Sequence, residues 1–294
     1  MALPADDAEL LARVQPGGPE PGARGLFRDD GWLRRISGEP VAILGGGRAL
    51  VLEVAHPFVA AAVAEHSAFR ADPFGRLQRT LAAMQTITFA ELPAALEAAR
   101  AVERAHAHVR GRLPEPAGRF PAGTPYSGRD TEAIRWVWAT LADTAWLLYE
   151  RFVAPLGAAE CEAYYAEHRV LARLLGVPSA LVPRDWGAFR CYFDAMVEGD
   201  LLAVTALARE IATTALHAPG GAGAARRVRS LTAGLLPPRL RQAFGLPWDE
   251  VRQQRFDALI SEVRALRVGP PRARSACSDP GDRAPSSADP SQEP

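Results

Sequence analysis

Residues 47–69 read GRALVLEVAHPFVAAAVAEHSAF, and this stretch decides the fold class. The apolar positions recur at helical spacing, on a stripe made of Ala49, Leu52, His56, Val59 and Val63. Pro57 lacks a backbone donor and disfavours the helical conformation at His56. The stretch therefore predicts a helix over 47–67 that kinks or restarts at His56. An imidazole turned into a binding site and a structural histidine in a kinked core helix are both compatible with this pattern.

Helical periodicity continues through the rest of the chain, and alternating strand patterns are nearly absent. Further helices are predicted over 73–90, 93–112, 129–154, 158–175, 185–198, 203–216, 222–234 and 248–267. The ends of the chain, 1–24 and 269–294, are rich in Pro with Gly, Ala, Ser or Asp, which predicts disorder. The prediction is one all-α domain over 25–268.

Composition excludes several classes of protein. The 294 residues carry 34 basic and 34 acidic side chains, so the net charge is zero and no basic excess indicates nucleic-acid binding. Hydrophobic residues make up 48%, which is enough for a real core. Three cysteines are too few for a disulfide framework. With no signal peptide and no transmembrane segment predicted, we expect a cytoplasmic protein; peripheral membrane attachment and the oligomeric state stay open.

The predicted helix over 93–112 carries a histidine on its apolar stripe. The stripe consists of Ala95, Ala99, Val102, His106, Val109 and Leu113. The neighbours of His106 are small, which leaves room for a flat, bulky group against the helix. His108 lies on the opposite, solvated face, so the two histidines make a poor metal pair. A hydrogen-bonded core histidine is the alternative interpretation of His106.

The predicted helix over 73–90 places Arg76 and Thr80 on one face, four residues apart. An arginine beside an apolar stripe must reach water or pair with an anion. The functional interpretation is an arginine directed at a carboxylate, such as a cofactor propionate, with Thr80 as a second hydrogen-bond partner. Arg79 is expected to be more solvated, although it could cooperate with Arg76. A plain surface arginine is the alternative.

Several of these stretches together resemble one known family. They are GRALVLEVAHPFVAAAVAEHSAF at 47–69, the Asp72-Pro73 break, RLQRTL at 76–81 and AHAHVRG at 105–111. In this order they resemble the MpaB/rubber-oxygenase family, and the resemblance extends over roughly residues 25–266.

The resemblance implies an all-α, globin-like core that binds haem b. It implies a haem-dependent oxygenase that acts with O2 on a hydrophobic, unsaturated small molecule. His106 would be the proximal ligand of the iron, with Arg76 and Thr80 at the haem pocket. Arg79 and His56 are further candidate cofactor contacts. One axial imidazole leaves the sixth iron position open to dioxygen.

Two positions depart from the family pattern. Trp138 stands where many members have a histidine. The acid/base glutamate of rubber-cleaving members falls near the alanines at 60–62, with Glu53 and Glu65 close by along the chain. These departures keep a haem-free or catalytically silent binding protein of the same fold as the alternative function. A peroxidase-like or haem-sensing role is a third, weaker option.

Overall fold

Helices dominate the part of the chain that the computed structural model describes, which is residues 10–12, 14, 24–67, 69–217 and 221–268. The α-helices are α1 (Trp32–Ser37), α2 (Gly46–Val54), α3 (Pro57–His66), α4 (Pro73–Phe89), α5 (Leu92–Ala107), α6 (Thr131–Phe152), α7 (Ala158–Leu174), α8 (Trp186–Glu198), α9 (Ala206–Ala215), α10 (Gly221–Leu235), α11 (Pro238–Ala243) and α12 (Glu250–Val268). Short 3₁₀ helices span Pro40–Gly45 and Ser179–Leu181. The prediction of an all-α fold is confirmed.

The predicted break at His56 is present. It separates α2 from α3, and the segments on its two sides meet at 108°. His56 is the N-cap of α3, and its Nδ1 accepts a hydrogen bond from the Phe58 amide at 3.3 Å. Pro57 occupies the first helical position, where a missing amide hydrogen costs nothing. The single helix predicted over 47–67 is therefore two helices, α2 and α3, and His56 caps the N-terminus of the second.

The predicted helix over 93–112 is wrong at its C-terminal end. α5 stops at Ala107, and residues Arg110–Arg112 form strand β1, which pairs antiparallel with β2, Pro125–Ser127. Gly111 faces Tyr126 across this pair, and a Cβ at Gly111 would lie 2.4 Å from the tyrosine Oη. The pairing partner is distant in sequence, so local periodicity carries no sign of the hairpin.

α6 runs through the main core. Trp136 and Trp138 on this helix are fully buried, and each indole N–H finds a carbonyl. Trp136 Nε1 donates to the Leu52 carbonyl on α2 at 2.8 Å, and Trp138 Nε1 donates to the His168 carbonyl on α7 at 3.0 Å. These bonds fix α6 between α2 and α7, two of the helices that line the cavity described below.

The N-terminal segment reaches the core. Leu10, Leu11 and Val14 are buried there, and Arg173 donates to the Val14 carbonyl at 3.1 Å. The core therefore includes residues that the composition places in a disordered segment. The remainder of 1–23 and the tail 269–294 lie outside the described residues.

Length and apolarity decide whether a helix of the described ranges could cross a bilayer. No single helix there is long and apolar enough to cross a bilayer. The bent pair Pro40–Val54 and Pro57–His66 passes the same test by length and composition only.

Candidate active site

An apolar cavity of about 670 Å³ lies between α4 and α2, is bordered by α1, the first 3₁₀ helix, α6 and α7, and is open to solvent on one side. One whole face of α4 lines it, through Arg76, Leu77, Thr80, Leu81, Met84, Gln85 and Thr88. At 1.5 Å per residue, the distance from Arg76 to Thr88 along the helix is about 18 Å. The cavity is therefore elongated, with a volume in the usual range for small-molecule sites.

The carboxyl of Glu53 and the guanidinium of Arg76 both line this cavity. Glu53 on α2 is only 8% exposed, and its carboxyl accepts no hydrogen bond from a described residue. Burial raises the pKa of the Glu53 carboxyl to about 7, and the charge of Arg76 limits that rise. Arg76 is half-buried and has no ion pair within hydrogen-bond range in the described part of the chain. The pair therefore offers a proton that can be held or released near neutral pH and a cation available to an anionic group.

The raised pKa of Glu53 predicts that Glu53→Gln stabilises the protein in alkali. Above the folded-state pKa the wild-type carboxylate is charged in an apolar cavity, and a neutral amide removes that cost. The free energy of unfolding of Glu53→Gln, relative to wild type, is expected to increase by up to about 3 kcal/mol between pH 5 and pH 8. Urea denaturation at both pH values measures it.

Glu115→Gln is the matched control, because Glu115 is exposed on a loop. It is expected to leave stability unchanged at both pH values. A difference between Glu53→Gln and wild type that is the same at both pH values would show that the Glu53 carboxyl does not titrate in this range.

His106 lies in the last turn of α5, near the start of α4. Its ring is half-buried and makes no hydrogen bond to a described residue. Burial, with a smaller contribution from the charge of Arg76, lowers the pKa of His106, so the ring is neutral at pH 7. His106 does not itself line the cavity. It approaches the Arg76 end from the side of α5.

Thr80 and Arg79 have different positions. Thr80 lines the cavity, and its hydroxyl donates to the Arg76 carbonyl one turn earlier at 3.2 Å. Arg79 is exposed and pairs with Asp72 at 3.1 Å. Asp72 in turn caps α4 by accepting from the Gly75 amide at 2.8 Å. The structure thus places Arg79 in the surface capping network of α4, away from the cavity.

His56 lies in a separate cluster with the aromatic rings of Phe58 and Phe120. It is fully buried, with its ring centroid 5.4 Å from that of Phe58 and 6.4 Å from that of Phe120. Burial lowers the pKa of His56 to about 4. His56 does not line the cavity. Its contacts are those of the N-cap of α3, which matches the structural alternative for this residue.

The histidine that does line the cavity is His168 on α7, which the sequence analysis did not single out. It is 3% exposed, and its Nδ1 is buried without a hydrogen-bond partner. Burial lowers the pKa of His168 to about 3, so the ring is neutral. The signal was present in the sequence, because His168 continues the helical stripe of Tyr164 and Leu171 in the same way as His106 continues its own stripe.

Among the described residues, the ionisable groups on or near the cavity are the imidazoles of His106 and His168, the guanidinium of Arg76 and the carboxyls of Glu39 and Glu53. In the described ranges no three side chains of His, Cys, Asp or Glu lie together as a metal-binding group. The neutral imidazoles of His106 and His168 are in the form that binds iron.

Comparison with known proteins identifies the family. The profile described as "ER-bound oxygenase mpaB/B'/Rubber oxygenase, catalytic domain" matches residues 33–265. The chain belongs to this oxygenase family. The matched region contains the cavity and all of the ionisable residues that line it. Family membership supports an enzyme with oxygenase activity.

Two curated relatives are also similar. They are the uncharacterized proteins Mb2261 of Mycobacterium bovis and Rv2237 of Mycobacterium tuberculosis. Each is 32% identical over 179 residues, which cover 59% of this chain and 67% of the relative. No solved structure matches the chain.

Proposed function

We propose that this family member is a haem b-dependent oxygenase that acts with O2 on a hydrophobic, unsaturated small molecule. The observation that carries the proposal is the elongated apolar cavity with Arg76, Thr80 and Glu53 on its wall. Arg76 and Thr80 belong to the R-x-x-R-T motif that the sequence shares with the family. Family membership supports the oxygenase class, and the chemistry of the donor set supports haem.

The residues near Arg76 fit a haem group. His106 is neutral, and no described residue occupies its ring nitrogens, so it could serve as the axial ligand. Arg76 is unpaired in the described structure and half-buried, so it would bind an anionic propionate. When bound, haem would supply the activation of dioxygen.

The chain's own residues would bind the substrate and handle protons. The apolar wall of α4 and α2 would hold a hydrophobic substrate and exclude water. Glu53, with its pKa of about 7, would take or give a proton at the Arg76 end of the cavity. The unassigned acid/base role of the family is thereby proposed for Glu53, because Glu65 lies outside the cavity and instead accepts a hydrogen bond from Tyr126.

The proposal predicts a Soret band that depends on His106. His106→Ala is expected to abolish haem retention during purification, and Arg76→Ala to weaken haem affinity by about ten- to a hundred-fold, as for the loss of a charge-assisted hydrogen bond. His108→Ala is the matched control, because His108 is exposed and two residues away. The measurement is the visible spectrum of protein expressed with haem supply. Full haem retention in His106→Ala would overturn the ligand assignment.

A second candidate is a catalytically silent, haem-free binding protein of the same fold. Trp138 favours it, since many family members have a histidine at this position. Here the indole is part of the core, with its ring centroid 5.5 Å from that of Phe189 and 6.2 Å from that of Tyr165. A colourless wild-type protein with a normal helical circular dichroism spectrum would support this candidate over the oxygenase.

A further inference from the structure

The mouth of the apolar cavity carries exposed apolar side chains. Ile43 lines the cavity and is nevertheless 66% exposed, so it lies where the cavity meets solvent. Leu44 beside it is 37% exposed, and Pro40 at the start of the same 3₁₀ helix is exposed as well. On α4, Thr80 and Gln85 are also exposed while they line the cavity. The entrance therefore lies between the apolar 3₁₀ helix and α4.

This 3₁₀ helix is anchored by a different side chain, so core packing does not account for Ile43 and Leu44. Val41 is 8% exposed and belongs to an apolar cluster with residues of α6, α10 and α12. Within the same six residues, Ile43 and Leu44 remain in contact with solvent. Adjacent large apolar side chains that stay exposed at the mouth of a cavity indicate an interaction surface.

Positive charge lies next to this surface, on α10, which packs against the 3₁₀ helix. Arg226, Arg227 and Arg229 on α10 are exposed, and none of them forms an ion pair with a described carboxylate. The helix carries no acidic residue. A Cβ at Gly47, just after the 3₁₀ helix, would lie 2.5 Å from the Thr232 hydroxyl oxygen, one turn after Arg229.

An anionic lipid surface matches this combination. Its hydrocarbon accepts Ile43 and Leu44, and its phosphates attract the arginines of α10. The half-buried Glu39 beside the 3₁₀ helix adds one negative charge against three positive charges. A protein seated on the same surface would cover the entrance of the cavity, whereas a bilayer joins the apolar cavity to further apolar material.

We propose that the protein docks on an anionic lipid bilayer through Ile43, Leu44 and the three arginines of α10, with the cavity mouth against the bilayer. A hydrophobic ligand then moves from the hydrocarbon into the cavity without crossing water. Docking itself requires neither haem nor turnover. Only the statement that this ligand is a substrate rests on the proposed function.

The test is co-sedimentation of the purified full chain with vesicles of phosphatidylcholine, alone or mixed in equal parts with phosphatidylglycerol. Wild type is expected to bind the mixed vesicles about ten- to a hundred-fold more tightly, and to lose most of this preference in high salt. Replacing Arg226, Arg227 and Arg229 together by glutamine is expected to abolish the preference, because each arginine near the surface contributes to it.

Ile43→Asp removes the most exposed apolar side chain of the surface and is expected to weaken binding to the mixed vesicles about ten-fold. Val251→Asp is the matched control. Val251 is 54% exposed at the start of α12 and does not line the cavity, so the same change there is expected to leave binding unchanged. Circular dichroism checks that every variant keeps its helical content.

Three results would overturn the proposal. The first is equal binding of wild type to both kinds of vesicle at low salt, which requires no variant. The second is an equal loss of binding in Ile43→Asp and Val251→Asp. The third is a wild-type dimer that Ile43→Asp converts to a monomer, with no vesicle binding by either, which would assign the surface to a second copy. Docking by a protein without a Soret band would support this inference while contradicting the proposed oxygenase.

Discussion

Replacing Asp143 by alanine is expected to lower the free energy of unfolding by about 3–5 kcal/mol. Asp143 on α6 is 1% exposed, and its Oδ2 accepts from Arg48 on α2 at 2.5 Å. Its other oxygen accepts from Arg190 on α8. Arg48 is itself 2% exposed. Removing the carboxylate leaves a guanidinium buried without its counter-charge, which is the costly way to break a buried ion pair.

The remaining bonds of Arg48 do not offset this loss. The guanidinium also donates to the Leu235 carbonyl at 2.8 Å and to the Thr144 hydroxyl at 2.5 Å, but neither acceptor carries a charge. The network joins α2, α6, α8 and the end of α10. Because α2 carries Glu53 and Thr144 lines the cavity, the same change should also loosen the site.

Urea denaturation at neutral pH measures the effect, with Asp194→Ala as the matched control. Asp194 also accepts from Arg190, at 3.1 Å, but its side chain is 65% exposed. Its loss is expected to cost less than about 1 kcal/mol. If Asp143→Ala does not fold, Asp143→Asn retains the shape and one acceptor and should show a smaller loss in the same direction. An Asp143→Asn protein as stable as wild type would show that the charge of Asp143 is dispensable.

The sequence predicted the helices but not the contacts between them. Asp143 lies in the apolar stretch 136–149, which was interpreted as core packing. Its partners lie 95 and 47 residues away. Helical periodicity shows which face of a helix is buried, but not which helix covers it. An aspartate on a buried face therefore indicates a partner without identifying that partner.

The same distinction applies to the candidate site. Residues on one helix could be related by their spacing, whereas residues from different helices could not. Arg76 and Thr80 are four residues apart on one helix, so local spacing correctly placed them on one face. Glu53 and His168 reach the cavity from α2 and α7, and only the packing of these helices against α4 brings them there. Arg79 has the same residue type as Arg76, but its pairing with Asp72 directs it to the surface. The prediction that Arg79 is more solvated than Arg76 is confirmed, whereas its pairing with Asp72 was not predicted.

Acid is expected to destabilise the protein through His56. The pKa of His56 falls from its ordinary value of 6.5 to about 4 on folding, because burial disfavours the charged ring. Between these values the unfolded chain binds a proton that the folded chain does not. The stabilisation is thus fully present above pH 6.5 and is lost as the pH falls toward 4. At about 1.4 kcal/mol per pKa unit, His56 alone is expected to lower the free energy of unfolding by about 3 kcal/mol over this pH range.

His56→Asn separates the titration from the capping role. An asparagine side chain can still accept from the Phe58 amide at the start of α3, but it does not titrate. The variant is expected to be less stable than wild type at neutral pH, since it loses the ring contacts with Phe58 and Phe120. Its further loss of stability between about pH 7 and pH 4 should be smaller than that of wild type by about 3 kcal/mol.

The His56→Asn variant is still expected to lose some stability in acid, because His168 is a second buried histidine. Its ring is also buried and its pKa is also lowered, to about 3, so it destabilises the folded state in the same direction as the pH falls. Urea denaturation at about pH 7 and pH 4 measures the loss of stability in wild type and in His56→Asn. His108→Asn is the control, because His108 is exposed. His108→Asn should decline in acid as wild type does. A His56→Asn protein with the wild-type decline would mean that His56 is already protonated in the folded state, and its buried Nε2 would then need a charged partner that the described residues do not supply.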